Sequence, residues 1–253
     1  MKIFGLLLAL ISFSGVMLAQ VKKPSPAPVK IPYSKSLQLI VVTTPGWSSV
    51  QGTAHVFERK QLGAHWRQVG DSFPVVVGRN GLAPDSEFLD LKGETPKHEG
   101  DGKSPAGLFP LTFAFGSATD PAKTALTYTR LDEFTECVDD VKSTHYNTVV
   151  NRMQVGNFDW KSSEKMLAVG PPYERGIFVG YNSYPQVPGR GSCIFLHIWK
   201  DSATGTAGCT AMEQSNLEKI LAWVKPKKNP YLIQLPEAIY AEHQKSWNLP
   251  EIK

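Results

Sequence analysis

Residues 191–212 read GSCIFLHIWKDSATGTAGCTAM. Within them Cys193–Trp199 is an apolar run bounded by glycine and by a polar Lys-Asp-Ser loop, the pattern of a buried strand. That strand delivers His197. A short loop rich in small residues follows, and Gly208-Cys209 then stands a few residues ahead of a helical period. Leu217, Ile220, Leu221 and Val224 fall at i, i+3, i+4 and i+7, giving one apolar face. Ser215 and Glu218 suit a capping box, and Pro226 stops the run.

Outward from this stretch the chain keeps a strand-like texture. Leu37–Thr43 (LQLIVVT) is rich in β-branched residues, and Thr53–Glu58 and His65–Val69 flank the turn-like KQLGA as a hairpin. Phe73–Val77 ends at the turn Gly78-Arg79-Asn80-Gly81. Gly107–Phe113, Gly176–Tyr181 and Tyr231–Leu235 read as further strands. With 21 glycines and 19 prolines in 253 residues, turns are frequent and a helical bundle is disfavoured. The expectation is a mainly β domain: a sandwich or partly closed barrel of mixed strands with a few short helices, one directly after Cys209.

The N-terminal part differs in composition. Lys2 and the apolar run Ile3–Leu18 read as an export signal over residues 1–19, cleaved in preference to serving as an anchor because the run is short for a membrane span. Residues 20–36, QVKKPSPAPVKIPYSKS, read as a Pro/Lys-rich linker, and 37–253 as the catalytic domain. The net charge of +4 belongs to the first two segments. Residues 1–36 hold five lysines and no acid, which leaves 22 basic against 23 acidic residues beyond them. A nucleic-acid-binding domain carries its basic excess on the folded part, so nucleic acid is not an expected partner. Contact with the membrane is expected only transiently, through the signal.

The chemistry rests on Cys209 and His197. A thiol is an effective nucleophile only as thiolate, and an imidazole within reach takes the proton. A helix N-terminus nearby would favour the thiolate further. Glycine beside the nucleophile permits close approach, and backbone N–H groups around Gly208 and Thr210, with Thr206 in the same loop, are candidate oxyanion donors.

This segment resembles the active-site signature of the L,D-transpeptidase (YkuD-type) catalytic domain, in which a strand histidine precedes a loop carrying Ser/Thr, His, Gly and the nucleophilic Cys. Here those positions read Thr206, Ala207, Gly208 and Cys209. The stretch Glu99–Phe109, EGDGKSPAGLF, and the turn Gly78–Gly81 are similar to upstream parts of the same family. Two positions depart from it: Ala207 replaces a histidine, and Ala211 stands where many members carry arginine or asparagine. The resemblance implies attack by Cys209 on a peptidoglycan stem peptide, with His197 as base. The resulting thioester passes to an amine or to water. No ATP, metal or other cofactor is needed, because the thioester retains the energy of the bond that was cut. A hydrolase on the same fold, either an L,D-carboxypeptidase or a wall-directed amidase, is the nearest alternative. A non-catalytic wall-binding module is the third.

Of the remaining residues, Cys137 and Cys193 are the pair for a disulfide if one forms, leaving Cys209 free. Glu136–Asp140 reads as a loop, where Asp139 and Asp140 are candidates for a substrate amine; Asn147, Asn182 and Arg190 are candidates of the same standing. No HExxH or CxxC spacing is present, so no metal site is expected. The glycines of Pro188–Ser192 precede a strand rather than a helix, which argues against a nucleotide loop.

Overall fold

The computed structural model describes residues 32–86, 94–118 and 123–252. The signal reading over 1–19 and most of the linker lie outside these residues. The strands are β1 (Gln38–Thr44), β2 (Gln51–Glu58), β3 (Arg67–Gln68), β4 (Phe73–Val76), β5 (Leu82–Pro84), β6 (Ser104–Gly116), β7 (Tyr128–Arg130), β8 (Thr135–Val138), β9 (Val149–Asn151), β10 (Ser163–Lys165), β11 (Gly176–Val179), β12 (Phe195–Ile198), β13 (Thr210–Met212) and β14 (Tyr231–Pro236). The helices are α1 (Gln214–Trp223) and α2 (Glu237–His243).

Eight strands close on themselves in the order β1-β14-β6-β11-β12-β13-β4-β2, with β2 returning to β1. The result is a mixed barrel, since β1–β14 and β12–β13 run parallel while the other neighbours are antiparallel. Closure removes the unpaired edges that an open sheet would expose. β1, QLIVVTT, shows why the sequence accepts this. It is buried at every position and hydrogen-bonded on both sides, so it reads as a continuous β-branched run without polar alternation. β3, β5 and β7 extend the barrel wall at its margins. A separate antiparallel sheet has the order β10-β8-β9.

The Glu136–Asp140 segment is not the loop its composition suggests. Thr135–Val138 is β8, wholly buried, and Glu136 is buried against Lys165 and Arg152. Three short strands supply enough neighbours to bury that acid with paired cations, a context that local composition does not reveal. The folded unit also begins earlier than the linker reading allows. Pro32–Lys35 form a 3-10 turn, Tyr33 is 2% exposed, and Arg59 donates to the carbonyls of Ser36 and Ser34 at 2.7 and 2.8 Å.

Two apolar clusters result. The larger includes the interior faces of β1, β2 and β14 together with Leu217, Ile220, Leu221 and Val224, the face expected of α1. The smaller joins Cys137 of β8 and Met166 to Phe115, Phe178, Phe195, Tyr173 and Cys209. Strand alternation divides β12 between them. Leu196 and Ile198 face the larger cluster, Phe195 belongs to the smaller, and His197 lies on the Phe195 side.

Candidate active site

β12 and β13 lie side by side in parallel, with His197 opposite Ala211. Cys209 stands two residues before Ala211, which brings it beside Phe195. The Phe195 N–H points at Cys209 Sγ at 3.3 Å, and Sγ lies 3.5 Å from the Cys193 carbonyl. Cys209 and His197 line the same cleft, of about 510 Å³, together with Tyr173, Glu164, Asp139 and Lys97. α1 follows Cys209 as its period indicates, but β13 intervenes and the helix begins only at Gln214. The capping box is not formed: Glu213 is the N-cap residue, and Glu218 pairs with Arg175 at 3.0 Å.

The loop ahead of Cys209 is fixed from both sides. Thr206 Oγ1 donates to the Cys209 carbonyl at 2.6 Å and accepts the Gly208 N–H at 3.1 Å. Ser104 Oγ donates to the same carbonyl at 2.8 Å while accepting the Gly78 N–H at 2.8 Å. Gly205 packs on the Gly78–Gly81 turn so closely that a Cβ there would fall 2.6 Å from the Arg79 Cα, so only glycine fits. Thr210 turns its hydroxyl to the buried Gln234, at 2.6 Å, and Gln234 in turn donates to the Pro105 carbonyl at 2.9 Å. Of the three loop residues singled out in the sequence, Thr206 and Gly208 line the cleft and Thr210 anchors the strand behind it.

Electrostatics at the site are dominated by burial. His197 Nδ1 lies 2.8 Å from the Ile198 carbonyl, so Nδ1 carries the proton and Nε2 is left with its lone pair. Burial lowers the imidazole pKa to about 4. Burial likewise pushes the Cys209 thiol up to about 12, with the Glu164 carboxylate adding to the rise, while the Phe195 N–H, the Tyr173 hydroxyl and Lys97 oppose it. Glu164 itself is raised to about 7 by burial first, with Tyr173's hydrogen bond opposing and the Asp139 charge reinforcing. The helix dipole expected beside the thiol is displaced by β13, and desolvation sets the sign instead.

Asp139 reaches the cleft, with its Oδ1 buried and without a hydrogen-bond partner. The other weak binding candidates are occupied elsewhere. Asp140 accepts the N–H groups of Lys142 and Lys161 at 3.0 and 2.8 Å. Asn147 donates to the carbonyls of Tyr181 and Asn182 and accepts the Cys193 N–H. Asn182 clamps Val187 and Gly191. Arg190 pairs with Asp85 at 2.6 Å. Both asparagines hold left-handed backbone, at φ of 57° and 49°, and their side chains shape the loop into β12. Cys137 and Cys193 form a disulfide, and Cys209 remains a free thiol. Among the described residues no group of three or more His, Cys, Asp or Glu is arranged to hold a metal ion.

A family model for the L,D-transpeptidase (YkuD) catalytic domain matches residues 53–233, from β2 through β14 and across the whole cleft. The chain belongs to the L,D-transpeptidase catalytic domain family. It is thus a member of a family of peptidoglycan cross-linking enzymes. Comparisons with curated proteins and with solved structures gave no match. In this L,D-transpeptidase domain the methyl groups of Ala207 and Ala211 both line the cleft. Tyr173, Glu164 and Lys97 also line the cleft, without any sequence signal of their own. Tyr173 sits in a Pro-Pro-Tyr turn and Glu164 in a three-residue strand, where no period marks either residue.

Proposed function

We propose that this protein is an exported L,D-transpeptidase-type acyltransferase acting on peptidoglycan stem peptides through a Cys209 thioester. The observation that carries this reading is that Cys209 and His197 line one cleft, His197 on β12 and Cys209 immediately before the parallel strand β13, with the Cys209 thiol free. Sγ attacks the carbonyl of the third stem residue and the terminal D-alanine leaves as an amine. His197 Nε2 takes the thiol proton as Sγ attacks and passes it to the departing amine. The thioester is then resolved by an amine of a second stem. Asp139, which lines the cleft, binds the substrate amine in this reading. The Cys137–Cys193 disulfide supports export, since such bonds persist in oxidising compartments. Among the described residues no helix is long and apolar enough to cross a membrane.

The test is incubation of the full chain, freed of its first 19 residues, with a disaccharide-tetrapeptide, followed by mass spectrometry. A cross-linked dimer is expected. Accumulation of tripeptide alone would identify water as the acceptor and make the protein an L,D-carboxypeptidase. No product from this substrate, or from sacculi, would leave a wall-binding module.

A further inference from the structure

His197 and Cys209 have charged neighbours on both sides, set by the strand order β11-β12-β13-β4. On the β11 side, Tyr173 of the turn ahead of β11 donates to Glu164 Oε1 at 2.8 Å, and Asp139 follows β8, on which Cys137 pairs with Glu164. On the β4 side, Ala211 of β13 pairs with Val76, and the turn after β4 carries Arg79. The Arg79 N–H donates to the Thr206 carbonyl at 2.8 Å and the Thr206 N–H to the Val77 carbonyl at 2.9 Å, which ties this turn to the loop ahead of Cys209. The guanidinium lies over Gly102, where a Cβ would fall 3.1 Å from Arg79 Cζ and Nε. Among the described residues the cations lining the cleft are Arg79, Lys97 and Lys200. Lys97 is buried and donates to Asp101 Oδ1 at 2.8 Å and to the His98 carbonyl at 2.7 Å. Lys200 lies past the end of β12, next to Asp201. The Arg79 side chain is exposed, and among the described residues its guanidinium has no hydrogen bond or ion pair.

We propose that Arg79 binds the terminal carboxylate of the residue that leaves, and so makes the protein selective for a stem that ends immediately after the bond to be cut. This deepens the proposed function and rests on it. A stem laid across the cleft has the third residue's side-chain ammonium at one end and the terminal carboxylate at the other, with the scissile carbonyl between them. The cleft presents the complementary order. Asp139, whose buried Oδ1 has no hydrogen-bond partner, lies on the β11 side, Cys209 in the middle and Arg79 on the β4 side. The reverse orientation would set the carboxylate against Asp139 and Glu164 and the ammonium against Arg79, like charge facing like. The methyl groups of Ala207 and Ala211 add no charge of their own, so recognition of a carboxylate on this side depends on Arg79. A guanidinium suits the task, because two parallel N–H groups meet both carboxylate oxygens, whereas the ammonium of Lys200 is a point charge. Arg79 is also held through its backbone to the loop of Cys209, so its position is coupled to that of the sulfur. A terminal amide, or an amide bond inside a longer chain, lacks the charge and loses the contact.

The test measures binding without turnover. The full chain carrying Cys209→Ser is titrated calorimetrically with two stem tetrapeptides that differ only in the last group, carboxylate or carboxamide. The carboxylate peptide should bind about tenfold to a hundredfold more tightly, the range of a charge-assisted contact. Arg79→Met should weaken the carboxylate peptide to the level of the carboxamide and leave the carboxamide peptide unchanged. Arg79→Lys should keep part of the preference. Both variants should fold, because Arg79 is exposed and its backbone bond to Thr206 survives either change. A preference that survives Arg79→Met, or that is abolished by Lys200→Met instead, would overturn the assignment to Arg79. Equal binding of the two peptides, or binding of neither, would overturn it as well. The chain that retains Cys209 is then incubated with the same peptides and its products are followed by mass spectrometry. Selective binding that depends on Arg79, with no product, would leave the carboxylate subsite standing and sink the acyl-transfer reading. Product formed equally well from both peptides would do the reverse.

Discussion

Ser104 Oγ donates a 2.8 Å hydrogen bond to the carbonyl of Cys209, 105 residues further along the chain. Ser104 is fully buried at the start of β6 and also accepts the Gly78 N–H, so one hydroxyl joins two loops to the residue that carries the thiol. Ser104→Ala would leave the buried Gly78 N–H without its partner and the Cys209 carbonyl with Thr206 alone. The expected cost is about 1–3 kcal/mol. Turnover should fall as well, because the loop around Cys209 loses a fixed point. A denaturant midpoint unchanged from the unaltered protein would show that the bond is dispensable.

Cys209→Ser should lose turnover by several orders of magnitude while shifting the melting temperature little. The thiol is buried but small, and serine keeps an acceptor for the Phe195 N–H. Cys209→Ala deletes the sulfur's contacts in the smaller cluster and should destabilise more than serine does. Residual turnover in both variants would place the nucleophile elsewhere.

Stability should depend on pH through two buried groups of opposite sign. Glu164 is raised from 4.5 to about 7 in the fold, so its contribution is complete below 4.5 and is lost as pH rises through about 7. His197 is lowered from 6.5 to about 4, so the unfolded chain takes up a proton that the fold refuses, and stability falls as pH drops from 6.5 towards 4. Between roughly 4.5 and 6.5 the two largely offset. Glu164→Gln removes one of them. The variant should match the unaltered protein near pH 4.5 and exceed it near pH 8 by on the order of 2 kcal/mol. Urea midpoints that fail to diverge between those two pH values would contradict this.

Reduction of Cys137–Cys193 should destabilise the fold by about 4 kcal/mol, from the loop entropy of a 56-residue separation. It should also impair turnover, because the Cys193 carbonyl lies beside Cys209 Sγ. Unfolding curves with and without reductant measure the first effect. Product formation under the same two conditions measures the second.

A chain beginning at Leu37 should be less stable than one beginning at Pro32 by about 3 kcal/mol or more, because it lacks the buried Tyr33 and the carbonyls that Arg59 binds. Equal melting temperatures would return residues 32–36 to the linker.

Local pattern carried much of this structure. Apolar or β-branched runs marked β1, β2, β4, β6, β11, β12 and β14, and a 3.6-residue period marked α1. An apolar run carrying a histidine, followed by a glycine-cysteine loop, marked His197 and Cys209. Such signals are legible because each depends on neighbours a few residues away. β8, β9 and β10 escaped because strands of three or four residues hold no measurable period, and their acids read as solvent-facing until partners such as Lys165 and Arg152 are in place.

The sequence by itself therefore determined a mainly β chain with a strand histidine, a loop cysteine and a following amphipathic helix. Closure of the barrel, the burial that governs the thiol and the imidazole, and the meeting of Tyr173 and Glu164 with Cys209 were decided only by the tertiary structure. The reason is desolvation together with distance along the chain. A carboxylate, a phenol and a thiol acquire shifted proton affinities only when packing removes water from all of them at once, and the residues that do so come from β8, β10, β12 and the turn at Tyr173, which no local pattern connects.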